Sequence, residues 1–327
     1  MTSTRLHPQG TFLGAHDLQL FYQSWYPLPV RKDSSQSAAE GDLNLSTPRK
    51  NGVGSPASDI QTPTEVKGVL AIVHGLGEHS GRYCQIVKGL TDAGYAVFGF
   101  DNQGHGKSEG QRGHINRWQD YRDNTQAFLS LIRQQEPSAP LFLMGHSLGG
   151  LIVLDYVLRN ADSAAFKALN VQGLIISAPP FRPTTGTASR RRMVLARLLS
   201  GLLPRFSLSL ELSKGGLSRD PSVADQAADD PLTHSSVTLR WGSETLSTLG
   251  WVKDHIDQLT LPLLLTHGEA DPIISPAGSK MIFQQVNSPD KTLKIYPGSY
   301  HEPHNDLDAD TVVSDLLRWI ETEIFAT

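Results

Sequence analysis

From Gly68 onward, short and nearly unbroken apolar runs alternate with longer stretches in which apolar residues recur every three or four positions. Unbroken runs of that length suit strands buried on both faces, and the wider spacing suits helices with one apolar face. The pattern therefore predicts a parallel sheet wrapped by helices, with strands at 68–74, 95–100, 141–145, 171–177, 261–267 and 293–296. Upstream, alternating segments between Thr11 and Tyr26 flank Ala15-His16-Asp17 and read as an antiparallel hairpin, which brings the expected sheet to about eight strands. Tyr121, Thr125, Phe128 and Ile132 fall on one helical face, as do Val312, Leu316, Ile320 and Ile324, and both faces are expected to be core.

The pattern breaks twice. Residues 30–65 are rich in Ser, Pro, Gly, Asp and Asn and poor in large apolar groups, so burial cannot offset the entropy of ordering them. A mobile surface insertion between two strands is expected there. Between 181 and 250 the chain runs through a Pro-rich exit, the cluster Arg190-Arg191-Arg192, an apolar stretch from Met193 to Leu203 and an acidic segment from Asp220 to Asp230. That is longer than an ordinary crossover. It predicts a helical cap over the carboxyl ends of the strands, where open α/β sheets bind ligands. The expected organisation is a core formed by 1–180, carrying the insertion, and 251–327, with the cap at 181–250.

A chain of 327 residues with 39% apolar content can bury one large α/β core plus an inserted piece. A net charge of −4 supplies no basic field for nucleic acid. The single cysteine, Cys84, allows no internal disulfide and no thiolate cluster for a metal, and fits a reducing compartment. The first ten residues lack the apolar core of a secretory signal, and no run approaches a membrane span. A soluble cytoplasmic protein is expected; composition says nothing of its oligomeric state.

The chemistry concentrates around Gly145-His146-Ser147-Leu148-Gly149, placed between the predicted strand 141–145 and a helix-like stretch 150–159. Strand, glycine-flanked serine and helix form a nucleophile elbow: the glycines permit a tight, strained turn that lifts the hydroxyl clear of the sheet. A serine hydroxyl needs an adjacent base held by a third group. Asp271 and His301 each lie just past a predicted strand, in the chain order this architecture uses, with Glu269 and His304 as rivals. His267, at the end of a buried strand, reads as merely packed. After the first central strand, the glycines of His74-Gly75-Leu76-Gly77 let the main chain bend close to the reacting carbon, so that the Leu76 and Leu148 N–H groups can form an oxyanion hole. The loop Asp101 to Ser108 reads as bracing. No Walker-type phosphate loop or dinucleotide fingerprint occurs, and proline within His301-Glu302-Pro303-His304 removes the helix that a zinc motif requires.

With these residues in view, the chain resembles the monoacylglycerol lipase branch of the α/β-hydrolase superfamily over most of its length beyond the insertion. The segment His74 to Tyr83 is similar to that branch's oxyanion segment and Gly145 to Gly150 to its elbow. Leu217-Ser218-Arg219-Asp220-Pro221 and Asp230-Pro231-Leu232 are similar to its cap sequences, and Asp290 to His301 to the segment leading to its histidine. The resemblance implies an α/β-hydrolase fold, a mostly parallel eight-stranded sheet flanked by helices with an inserted cap. It also implies carboxylic ester hydrolysis of monoacylglycerol-like or lysophospholipid-like lipids without a cofactor or metal; small or aromatic esters are an alternative. A receptor or scaffold on the same fold is an alternative of another class, which would have no need for all of Ser147, Asp271 and His301. The insertion and Ile273-Ile274 depart from the branch's pattern and leave substrate choice open. In the cap, Met193, Leu195, Leu198, Leu199 and Leu202 are expected either to line an acyl tunnel or to touch a membrane peripherally, with the arginines on anionic head groups. A cap helix packed on the body with solvated arginines is equally compatible.

Overall fold

The computed structural model describes residues 7–28, 66–184, 199–210 and 215–326. The insertion expected at 30–65, the arginine cluster and Met193, Leu195 and Leu198 lie outside the described residues.

Eight strands form one sheet: β1 (Gln9–Leu13), β2 (Gln19–Trp25), β3 (Val69–Val73), β4 (Ala96–Phe100), β5 (Leu141–His146), β6 (Val171–Ser177) and, after the cap, β9 (Leu263–Gly268) and β10 (Lys291–Tyr296). Their order is β1-β2-β4-β3-β5-β6-β9-β10. β1 and β2 pair antiparallel, as do β2 and β4, and every later pairing is parallel. This is the α/β-hydrolase fold. All five residues of β3 are buried, and they divide by parity: Val69, Ala71 and Val73 join the core on one face, Leu70 and Ile72 the core on the other. Leu141 and Leu143 of β5 separate from Phe142 and Met144 in the same way. Two apolar layers thus clamp the sheet, and the central strand ends converge at one edge.

Helices α1 (Cys84–Asp92), α2 (Gln119–Gln135), α3 (Leu148–Asn160) and α4 (Ala164–Leu169) follow strands β3 to β5. Helix α3 starts two residues earlier than its periodicity suggests, directly after Ser147. β9 starts later than expected, after Pro262, which has no N–H to give the ladder. β10 starts earlier, at Lys291; as an edge strand it is half-buried, so its polar residues hide it.

Within the stretch read as cap, β7 (Ser207–Ser209) and β8 (Ser236–Thr238) form a small antiparallel ribbon around helix α5 (Pro221–Asp229). Helix α6 (Leu239–His255) then runs across position 250 into the body. Its Trp241 indole donates to the Tyr121 hydroxyl (3.1 Å), and Val252 is fully buried. Helices α7 (Ala277–Gln285) and α8 (Ala309–Ala326) complete the body. Among the described residues no helix is long and apolar enough to cross a membrane.

Candidate active site

Ser147 joins β5 to α3 at φ 50°, ψ −117°, a conformation that side chains rarely adopt. Its N–H donates to the Ser177 carbonyl (2.8 Å), which fixes the turn against β6. The flanking glycines are required by contact: a Cβ at Gly145 would lie 2.4 Å from the Gly149 carbonyl oxygen, and one at Gly149 would lie 2.0 Å from that of Val73. Nothing larger fits while elbow and β3 stay in register.

The hydroxyl of Ser147 lies 3.0 Å from His301 Nε2, and His301 Nδ1 lies 2.7 Å from Asp271 Oδ2. The structure thus brings together three side chains from the loops after β5, β9 and β10. Asp271 Oδ1 accepts the N–H groups of Ile273 (2.8 Å) and Ile274 (2.9 Å), which orients the carboxylate. Burial opposes its ionisation, but the bonds from His267 and His301 win and hold its pKa well below the usual carboxylate range. Burial would also lower His301. The hydrogen bond and charge of Asp271 overcome that, and the Glu302 and Glu78 carboxylates add to it, so the imidazole is raised above its ordinary 6.5.

The rival residues lie elsewhere. Glu269 points to solvent. His304 is buried, stacks on the Tyr83 ring (centroids 4.9 Å apart, planes at 5°) and is pushed down to about 4 by burial. His267, read from the sequence as merely packed, instead places Nε2 3.1 Å from Asp271 Oδ2. The signal was its position four residues before the acid, but the loop that follows Gly268 must fold back before the two meet.

Gly75, Leu76 and Leu148 line the same cavity as Ser147. A Cβ on Gly75 would come 3.2 Å from that of Ser147, so glycine permits the close approach. Leu148 opens α3, and its N–H is one of those with no acceptor inside the helix. The Gly75 N–H is already held by Glu78 Oε1 (2.6 Å), which also accepts from the Tyr83 hydroxyl (2.9 Å). Below this turn Arg82 donates to both Glu302 oxygens (3.0 and 2.8 Å), and its Nε lies 3.5 Å from Glu78 Oε2. Burial and the neighbouring Glu302 push Glu78 up to about 7, while the guanidinium holds Glu302 down. The sequence reading missed this triplet, in which Arg82 and Glu302 are 220 residues apart.

Above these groups lies a cavity of about 900 Å³. Leu76, Leu210, Leu217, Trp241, Ile273 and Ile274 make most of its apolar wall, and Ala224, Ala227 and Ala228 turn one small-residue face of α5 toward it. Glu78, Arg82, Glu302 and Thr233 supply a polar side. The cap is tied to the histidine loop, for the His301 and Glu302 N–H groups donate to the carbonyls of Gly216 (3.3 Å) and Leu217 (2.8 Å). Of the expected cap residues, Leu199 is half-buried and Leu202 is 80% exposed; neither is among those lining the cavity.

Residues 64–308 match the family described as Hydrolase_4 (serine aminopeptidase, S33). The chain is similar to the monoacylglycerol lipase of Mycolicibacterium smegmatis, 31% identical over 268 residues, 81% of this chain and 92% of that protein. To the monoglyceride lipase of Rattus norvegicus it is 32% identical over 261 residues, 79% and 84% of the two chains. The crystal structure of the Paleococcus ferrophilus monoacylglycerol lipase superposes with a TM-score of 0.70 at 32% identity, over 80% of this chain and 96% of that one.

Proposed function

The chain belongs to the serine aminopeptidase S33 family of α/β-hydrolases, as an ester hydrolase of its monoacylglycerol-lipase-like branch, and from that premise we propose that it cleaves the ester of monoacylglycerol-like lipids through an acyl-enzyme on Ser147. The observation that carries the reading is the hydrogen-bonded series Ser147, His301, Asp271 opening into a large, mainly apolar cavity.

In this mechanism His301 Nε2 takes the Ser147 proton as the oxygen bonds to the ester carbon. The carbonyl electron pair moves to oxygen, where the Leu76 and Leu148 N–H groups receive it. Collapse breaks the bond to the alcohol, which leaves with the proton from His301. Water then gives its proton to His301 and adds to the acyl carbon; the second collapse releases the carboxylic acid and returns the proton to Ser147. Asp271 holds the imidazole tautomer and stabilises its cationic form.

Substrate class follows from the walls. A cavity of about 900 Å³ lined by Leu, Ile and alanine faces suits an acyl chain. Among the described residues lining the cavity Arg82 is the only lysine or arginine, and it is flanked by two carboxylates, which favours a neutral polyol head group over a lysophospholipid. Rates on monoacylglycerols, lysophospholipids, short p-nitrophenyl esters and aromatic esters test this, with Ser147→Ala as control. Preference for the monoacylglycerol, lost in Ser147→Ala, supports the reading; preference for the lysophospholipid or aromatic ester overturns it. No labelling of Ser147 by a fluorophosphonate would favour a non-catalytic receptor.

A further inference from the structure

His267 is the penultimate residue of β9, wholly buried between the sheet and α7. Its Nε2 faces two acceptors, Asp271 Oδ2 at 3.1 Å and the Ile274 carbonyl at 2.9 Å. Its Nδ1 faces one hydroxyl, that of the fully buried Ser279, at 2.7 Å. These partners dictate the tautomer: Nε2 carries the proton, and Nδ1 accepts from Ser279. The buried ring is thereby locked as a donor.

The atom it donates to also receives His301 Nδ1, at 2.7 Å. Asp271 therefore accepts four hydrogen bonds, two at Oδ1 from the Ile273 and Ile274 N–H groups and two at Oδ2 from imidazoles. That number fills a carboxylate. The Oδ1 bonds come from Asp271's own turn, which travels with the side chain, whereas the His267 bond ties Oδ2 to the sheet. We propose that His267 is a positioning residue for the reaction, a fixed second donor that holds Asp271 Oδ2 against His301 and shares its charge; this rests on the reading of Ser147, His301 and Asp271 as the catalytic set.

The sign of the effect follows. A donor on Oδ2 withdraws part of the negative charge that His301 senses, so its loss leaves a more strongly charged, less restrained carboxylate and favours the imidazolium. A base that must be neutral to act then needs a higher pH. Among the described residues the other titratable groups that act on His301 are Glu302, Glu78, His146 and His304; of these His146 also senses His267, but burial first of all holds it well below its ordinary value.

The test is the pH profile of kcat/KM for the full chain on a soluble p-nitrophenyl ester, comparing wild type, His267→Leu, His267→Gln and His267→Asn. Glutamine can present an N–H near the imidazole Nε2 position; leucine cannot. The expected result is an acid limb moved upward by roughly one pH unit in His267→Leu, with about a tenfold fall at neutral pH, and a near wild-type profile in His267→Gln. Loss of activity with an unmoved limb in His267→Leu would mean a purely structural role and overturns the proposal, as does equal behaviour of the two variants. Should His267→Leu fail to fold, His267→Asn decides: its amide can meet the Ser279 hydroxyl where Nδ1 did but is too short to reach Asp271 Oδ2, and an unmoved limb there overturns the proposal. Failure of the underlying reading looks different, since Ser147→Ala would then keep wild-type hydrolysis.

Discussion

Gly149 packs directly on Val73: a methyl group there would sit 2.0 Å from the Val73 carbonyl oxygen and 2.7 Å from that of His74. The elbow and the exit of β3 are thus in backbone contact, and this contact sets the distance between Ser147 and the turn that carries the Leu76 N–H.

Gly149→Ala should push the two apart. The expected outcome is a fall in kcat of about 100-fold or more, comparable to losing an oxyanion donor, together with a lowered Tm. Gly242 and Gly250 supply the control, since both lie inside α6 and a Cβ would meet nothing within 4 Å. Alanine at either should raise stability by about 0.5–1 kcal/mol and leave kcat unchanged, as read by urea unfolding and steady-state rates.

The raised His301 and depressed Asp271 fix the shape of the pH profile. His301 must be neutral to accept the Ser147 proton, and its pKa lies above 6.5, so kcat/KM should fall as pH drops through a midpoint above that value. Asp271 stays ionised well below 3.8, and contributes no second step in that range. Asp271→Asn should lower kcat by about 10⁴-fold, because an amide cannot stabilise the imidazolium. An acid limb below 6.5 in wild type would contradict the arrangement.

Much of this arrangement could be read from the sequence, for identifiable reasons. Strands β3, β5 and β9 are buried on both faces, so their runs are unbroken, and Leu76, Ser147 and Asp271 each follow within a few positions of a strand end. The triad and elbow follow from that local grammar. The cap ribbon does not, since three-residue strands of Ser-Leu-Ser and Ser-Val-Thr carry no period. Nor does the role of His267 or the pairing of Arg82 with Glu302, because these depend on how loops fold back and on contacts between distant segments.

Arg82 compensates two buried carboxylates, and its own side chain is only 10% exposed. Arg82→Met should leave Glu78 and Glu302 facing each other without a cation, at a cost of about 3 kcal/mol or more at neutral pH. Protonation of one carboxylate relieves that repulsion. The loss should therefore begin to shrink as pH falls below about 7, where Glu78 takes up a proton, well above the acidic range in which a simple surface pair is lost, and urea unfolding at several pH values would separate these cases.

The rim of the cap gives the last prediction. Leu202, Leu203, Phe206 and Leu208 are 80%, 53%, 55% and 46% exposed, whereas Ser209 and Leu210, next along the chain, line the cavity. An apolar lip so placed adjoins the cavity in sequence, and partial insertion of such residues into a lipid surface would give an acyl chain a route that avoids water. Phe206→Ser combined with Leu208→Ser should therefore lower the rate on monoacylglycerol carried in phospholipid vesicles, by about tenfold for the burial lost at two side chains. The rate on a soluble p-nitrophenyl ester should not change, because neither residue lines the cavity. Vesicle flotation should weaken in parallel. Equal loss on both substrates would assign the lip to folding of the cap, and no loss on vesicles would remove the membrane from the account.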